Sequence, residues 1–273
     1  MTAPTAPTVA PTRPLAVGPS MTPVIALGDI AAVTRRNLLR ILRTPQLLVF
    51  SSIQPVMFVL LFRYVFGGAI PIPGFRYVDY LMPGIFVQTT LFGSAAAAVG
   101  LAQDLKGGII DRFRSLPMAR SAVLAGRTLA DLGRNLFVTA LMVTVGTLVG
   151  FRFHGGLVPG VAAIVLVLVF GYAFSWIFAA TGLFVKDPET AQIAGFIPMF
   201  PLVFASSAFV PVQSMPGWLQ AFAHVQPVSV TVNAVRALTQ GTPVDHWLWQ
   251  SVAWTIGILV VFIPLAVRQY RRT

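Results

Sequence analysis

The stretch FHGGLVPGVAAIVLVLVFGYAFSWIFAATGLFV, residues 153–185, contains no Lys, Arg, Asp or Glu. A helix needs about 20 apolar residues to cross the hydrocarbon core of a bilayer. Residues 157–182 therefore read as a membrane-spanning helix. Working outward, further uncharged stretches lie at 44–62, 80–103, 135–151, 190–235 and 246–267. They place spans at 46–66, 80–103, 135–151, 157–182, 190–210 and 246–267. The expectation is an all-α integral membrane protein of six transmembrane helices.

The uncharged run 190–235 is too long for one crossing. It divides at Pro211–Gly217, and Trp218–Ala234 is only moderately apolar, with His224, Gln226, Pro227 and Asn233. This segment reads as a re-entrant hairpin between spans 5 and 6, a form of backbone tolerated where protein or a watery cavity covers it. A seventh crossing is the alternative.

Composition agrees with a membrane class. The chain is 56% hydrophobic and 10% charged, against roughly 25% charged in soluble domains. Its net charge of +11 does not mark a nucleic-acid binder, because the basic residues sit between apolar runs rather than along one soluble face. With six spans, fifteen Lys and Arg fall on one side of the membrane and four (Arg63, Arg76, Arg152, Arg236) on the other. The positive-inside rule then puts both termini in the cytoplasm of a multi-pass plasma-membrane protein.

Residues 1–23 are rich in Thr, Ala and Pro and read as a disordered cytoplasmic tail, leaving 24–273 as one transmembrane domain. Residues 27–44 form an amphipathic helix. Leu27, Ile30, Ala31, Leu38, Ile41 and Leu42 lie on one side, and Arg35, Arg36, Arg40 and Arg43 on the other. Such a helix suits an anionic membrane surface; packing on protein is the alternative.

No charged residue lies at the middle of a span so drawn, which counts against an ion-coupled carrier. No HExxH, paired carboxylate or GxSxG stands out, which counts against a membrane enzyme. Cysteine is absent, and neither of the two lysines completes a phosphate-binding P-loop. If ATP drives this chain, another polypeptide hydrolyses it.

Pro and small polar residues interrupt several spans: Gln54-Pro55, Pro83 with Gln88, and Pro198 with Pro201. They read either as helix-packing contacts or as kinked helices lining a route. On the second reading the route residues are Gln54, Phe58, Gln88, Phe200 and Phe204. The basic loop 104–134 carries Ile109, Ile110, Phe113 and Leu116 among charges, with Pro117 to end a short helix. It reads as a docking knob for a soluble partner, or as an ordinary solvated loop.

Gly107-Gly108-Ile109-Ile110-Asp111-Arg112-Phe113-Arg114-Ser115-Leu116-Pro117-Met118, continued by Arg120 and Gly126-Arg127, resembles the loop between spans 2 and 3 of the ABC type-2 permease family, most closely its daunorubicin-resistance branch. Pro216-Gly217-Trp218-Leu219, Gln226-Pro227 and Val235-Arg236-Ala237-Leu238 resemble that family's extracellular stretch, and Arg35 to Pro45 its interfacial elbow helix. The resemblance covers about 27–270. It implies the permease subunit of an ABC exporter for an amphipathic, antibiotic-like small molecule. Export of a polysaccharide, glycan or lipid is the alternative.

The resemblance further implies two cytoplasmic ABC ATPase subunits that carry ATP and magnesium, and a second permease chain, identical or paralogous, among membrane lipids. No cofactor is then held by this chain. Ile109, Ile110, Asp111, Arg112, Phe113, Arg114, Leu116 and Pro117 would couple ATPase movement to the membrane domain, and spans 1, 2 and 5 would form the route.

Overall fold

The computed structural model describes residues 23–67, 74, 76–108 and 120–272, and every element among them is helical. They are α1 (Pro23–Leu42), α2 (Pro45–Leu60), α3 (Tyr77–Ser94), α4 (Ala96–Lys106), α5 (Arg120–Leu148), α6 (Leu157–Val185), α7 (Pro188–Phe204), α8 (Gly217–Val225), α9 (Pro227–Gln240) and α10 (Asp245–Arg272). A π-helical turn, Leu61–Phe66, extends α2.

Local chemistry sets several boundaries. Pro45, Pro188 and Pro227 each open a helix, where the missing N–H costs nothing and the fixed φ is already helical. Asp187 caps α7 by accepting from the Thr190 N–H at 3.0 Å. This bond, a second from the Thr190 hydroxyl and one from Lys106 hold its carboxyl below the usual carboxylate range. Gly241 ends α9 at φ 71°, a left-handed turn that suits glycine.

Four helical stretches are long and apolar enough to cross a membrane: Tyr77–Lys106, Val123–Leu148, Leu157–Val185 and Asp245–Arg272. The first joins α3 and α4 through a break at Ala95. Ser51–Phe66 is shorter but apolar. The stretch expected as a span over 190–210 is the 17-residue α7, which stops at Phe204 beyond two internal prolines, Pro198 and Pro201.

α6 is apolar on every side, as a helix surrounded by other apolar groups must be. It packs against α3, α4, α5, α7, α9 and α10. Close approach depends on glycine: a Cβ on Gly182 of α6 would collide with the Ala98 carbonyl of α4, and one on Gly84 of α3 with that of Ala208. The main core centres on Leu81, Ile85, Phe86, Phe170 and Val232. A second cluster, Leu101, Leu124, Trp176, Leu183 and Tyr270, ties α4, α5, α6 and α10 together.

α1 packs on α5 through Val33 and Asn37, beside its expected apolar side, of which Ile30, Leu38 and Ile41 are half-buried while Leu27 and Ala31 stay exposed. The segment drawn as a loop over 104–134 is helical to Lys106 and again from Arg120. Asp104, Arg127, Asp131 and Arg134 therefore sit on the membrane-length helices rather than in water. Finally, 217–240 is two helices of unlike character. α8 leaves Trp218, Phe222 and Val225 exposed, whereas α9 is buried along most of its length.

Arg236, counted from sequence among loop charges, lies on α9 with its guanidinium 3.6 Å from the Tyr80 ring centroid. It donates to the Tyr80 carbonyl at 3.1 Å, the Ser207 carbonyl at 2.7 Å and Asn233 Oδ1 at 2.8 Å. The break after α7 frees the Ser207 carbonyl, and Arg236 satisfies it. An aromatic face and a fork of oxygen acceptors make the half-buried cation tolerable.

Candidate functional site

A cleft opens where α2, α3, α5 and α7 meet. Its inner chamber, about 200 Å³, is lined by Gln54, Gln88, Thr89, Phe92, Asn135 and Phe196, among others. Its outer chamber, about 460 Å³, adds Asn37, Arg40, Gln103, Arg127, Asp131 and Gln192. Ser51, Phe92, Ala96, Arg134 and Phe196 line both, so the two adjoin. The outer end carries charges of both signs, and the inner end is lined by polar amides and hydroxyls with Arg134 as its one charged residue.

The break between α3 and α4 shapes this cleft. Where a helix is interrupted its carbonyls lose their own partners, and in an apolar medium they must find others. At the break Arg134 of α5 donates to the Gly93 carbonyl. A turn earlier Asn135 Nδ2 donates to Ser94 Oγ at 3.2 Å and to the Thr90 carbonyl at 3.3 Å, which also accepts from the Ser94 hydroxyl. Ser94 Oγ lies 2.8 Å from the Gly171 carbonyl of α6.

Not every polar atom is satisfied. Oε1 of Gln88 and Oγ1 of Thr89 are buried without a hydrogen-bond partner, as are Asp131 Oδ2 and Asn37 Nδ2. Leaving such a group unpaired costs about 1–3 kcal/mol. All four residues line the cleft.

From Phe196 a chain of rings leads away. Phe196 and Phe92 have centroids 5.6 Å apart, Phe92 and Phe200 5.8 Å, Phe200 and Phe204 5.7 Å, Phe204 and Phe209 5.4 Å, and Phe209 and Phe62 4.7 Å. Phe58 sits 6.2 Å from Phe209 and 5.9 Å from Phe62. Phe200 and Phe204 are half exposed, so the chain is an open apolar face.

The residues expected along a route thus fall into two adjoining groups. Gln54 and Gln88 share the inner chamber, and Phe58, Phe200 and Phe204 belong to the ring chain. Sequence reasoning missed Thr89, Phe92, Arg134, Asn135 and Phe196. A signal was available: Phe92 lies four residues after Gln88, and Phe196, Phe200 and Phe204 recur at intervals of four, which places each set on one helix face.

The coupling residues Ile109, Ile110, Asp111, Arg112, Phe113, Arg114, Leu116 and Pro117 lie outside the described residues. The helices on either side of them are braced. Arg127 of α5 pairs with Asp104 of α4 at 2.5 Å, both largely buried. Lys106 pairs with Asp187 at 3.3 Å in an exposed contact. No group of three or more metal-ligating side chains occurs among the described residues.

Comparison with known proteins places this arrangement. A family model described as ABC-2 type transporter matches residues 29–239. The daunorubicin resistance ABC transporter permease protein DrrB1 of Streptomyces coeruleorubidus is 37% identical over 227 residues, covering 83% of this chain and 80% of that protein. A probable doxorubicin resistance ABC transporter permease of Mycobacterium tuberculosis is 30% identical over 241 residues, covering 88% and 87%. A putative transport permease of Cyanophora paradoxa is 23% identical over 254 residues, covering 89% and 84%.

Proposed function

This chain belongs to the ABC-2 type transporter family, and we propose that within it the chain is the membrane subunit of an ATP-driven exporter of an amphipathic, drug-like small molecule. The family makes it a multi-pass transporter component rather than a catalyst, one that works with an ABC ATPase and a partner permease. Similarity to permeases named for daunorubicin and doxorubicin resistance supports a drug-like cargo.

The observation that carries the reading is the pair of adjoining chambers. They lead from a charged mouth at Arg40, Arg127 and Asp131 through the polar chamber at Gln54 and Gln88 to the phenylalanine chain. An amphipathic molecule meets surfaces of matching polarity at each stage. Cargo enters at the charged end, on the cytoplasmic side where both termini lie, and leaves along the rings.

In this reading α2 with its π turn, α3–α4, α5, α6, α7 and α10 are the six crossings, and α8–α9 form the hairpin on the outer side. α7 is short for a crossing: 17 residues reach about 25 Å at 1.5 Å each. Local thinning of the bilayer or the loop after Phe204 makes up the difference. Two ATPase subunits act on two permease chains, through the coupling segment 109–117 between α4 and α5.

The test is co-purification of the tagged chain from its native membrane. Wild type is expected to bring down a soluble subunit with a P-loop. Phe113→Ala with Leu116→Ala is expected to reduce that recovery or its ATP-driven transport severalfold while insertion stays normal. Wild-type preparations that never contain such a subunit contradict the exporter reading, and unchanged coupling in the double variant removes the docking role.

A further inference from the structure

We propose that Gln88 and Thr89 form a neutral hydrogen-bonding station for cargo inside the membrane domain, so that the transported molecule is an aromatic body bearing an uncharged donor, a hydroxyl or an amide N–H. The proposal deepens the exporter reading and rests on it. Gln88 and Thr89 are 5% and 8% exposed, both line the inner chamber, and Gln88 Oε1 and Thr89 Oγ1 have no partner. Buried polar atoms are almost always paired, and an orphan points to a group that belongs there.

Two nearby donors are turned elsewhere: Asn135 Nδ2 serves the Thr90 carbonyl and Ser94 Oγ, and Arg134 Nη2 serves the Gly93 carbonyl. The buried wall atoms left without a partner are Gln88 Oε1, which only accepts, and the Thr89 hydroxyl, which can accept. A visiting molecule therefore supplies a hydrogen. No carboxylate lines the inner chamber, so this station does not select a full positive charge; Asp131 belongs to the outer one.

The body that carries the donor is set by the same walls. Phe92 and Phe196 line the chamber with ring centroids 5.6 Å apart, and Phe200 continues from Phe92 at 5.8 Å. A flat ring system matches these faces by offset or edge-to-face contact. The chamber of about 200 Å³ admits a two-ring fragment. A donor at one edge of that fragment reaches Gln88 and Thr89 while its faces meet phenylalanine.

The experiment uses the full chain in lipid nanodiscs and two tritiated probes, 2-naphthol and 2-methoxynaphthalene. The rings are the same, and only naphthol donates. Empty nanodiscs correct for partition into lipid. Wild type is expected to bind naphthol about tenfold more tightly, the ratio one unsatisfied buried acceptor commands. In Gln88→Leu with Thr89→Val the ratio is expected to fall to about one, with the methoxy probe bound as before. Equal affinities in wild type, which need no variant to fold, overturn the proposal. So does a preference that survives in the variant. Neither measurement uses ATP. A chain that transports yet binds both probes alike loses the station and keeps the exporter role. A chain that prefers naphthol but transports nothing keeps the station and loses the exporter role.

Discussion

Replacing Arg236 with Leu is expected to lower the stability of the purified chain by at least about 3 kcal/mol, seen as loss of monodisperse protein on mild heating in detergent. The guanidinium is the shared partner of the Tyr80 carbonyl, the Ser207 carbonyl and Asn233 Oδ1. Leucine fills part of the volume but ends three hydrogen bonds to a charged group, worth about 1.5–3 kcal/mol each, and leaves the Ser207 carbonyl to the Tyr80 hydroxyl and Asn233 Oδ1 to the Ser207 hydroxyl. The cation–π contact with Tyr80 is lost as well. Lysine is expected to rescue little, because a point charge cannot reach acceptors spread over three segments as a planar fork does. The structural consequence centres on 205–210, the turn after α7. Arg236 holds it against α3, with help from the Tyr80 hydroxyl at 3.1 Å to the Ser207 carbonyl. An unchanged melting profile for Arg236→Leu contradicts this account of how the turn is fixed.

The second large effect is expected at the brace between α4 and α5. Asp104→Leu alone leaves the Arg127 guanidinium, only 17% exposed, packed over Gly100 without its counter-charge. Breaking one side of a buried pair costs about 3–5 kcal/mol, whereas replacing both partners by apolar groups is often close to neutral. Asp104→Leu with Arg127→Leu is therefore expected to recover most of the stability lost by the single change. A denaturation series over the four proteins measures the interaction. Simple additivity means the pair is not coupled as its geometry demands. This brace lies at the ends of the two helices that flank 109–117, so a weakened brace is also expected to blunt ATPase coupling in the single variant.

The sequence made the membrane class legible because 153–185 and its neighbours are uncharged over lengths that only a bilayer explains. It made α8 and α9 legible as an interruption, through Pro216-Gly217 and Gln226-Pro227. It misled where charge was taken as a sign of loop. Arg127, Asp131, Arg134 and Arg236 look like boundary residues in a one-dimensional reading, yet each sits on a helix. Tertiary partners are what permit this: Asp104 for Arg127, the Gly93 carbonyl for Arg134, and Tyr80 with Ser207 for Arg236. None of those partners is near in sequence.

The route shows the same division. Gln54 and Gln88 were visible as polar residues out of place in apolar runs, and the structure brings them to one chamber. Arg134 and Asn135 were invisible as its walls, because their role comes from the break at Ala95, which no proline announces. Glycine and serine at 93–94 weaken the helix there, and the caps from α5 make the broken form the stable one. The ring chain from Phe92 to Phe62 joins residues from α2, α3, α7 and the turn after α7, a convergence that only packing reveals.

The most direct test of the central claim, that cargo moves through the cleft between α2, α3, α5 and α7, uses the absence of cysteine from the chain. Ser51→Cys places one thiol at a position lining both chambers, and Val165→Cys places one on an exposed site of α6. Each is reconstituted with its ATPase, native thiols of that subunit removed, and labelled with a bulky maleimide before ATP-driven efflux of a fluorescent amphipathic probe that the unlabelled chain transports is followed. Labelling at Ser51→Cys is expected to reduce efflux at least about tenfold, as filling a route does, with ATP hydrolysis still measurable and Val165→Cys unaffected. Full efflux through labelled Ser51→Cys, in a preparation where modification is complete, contradicts the route.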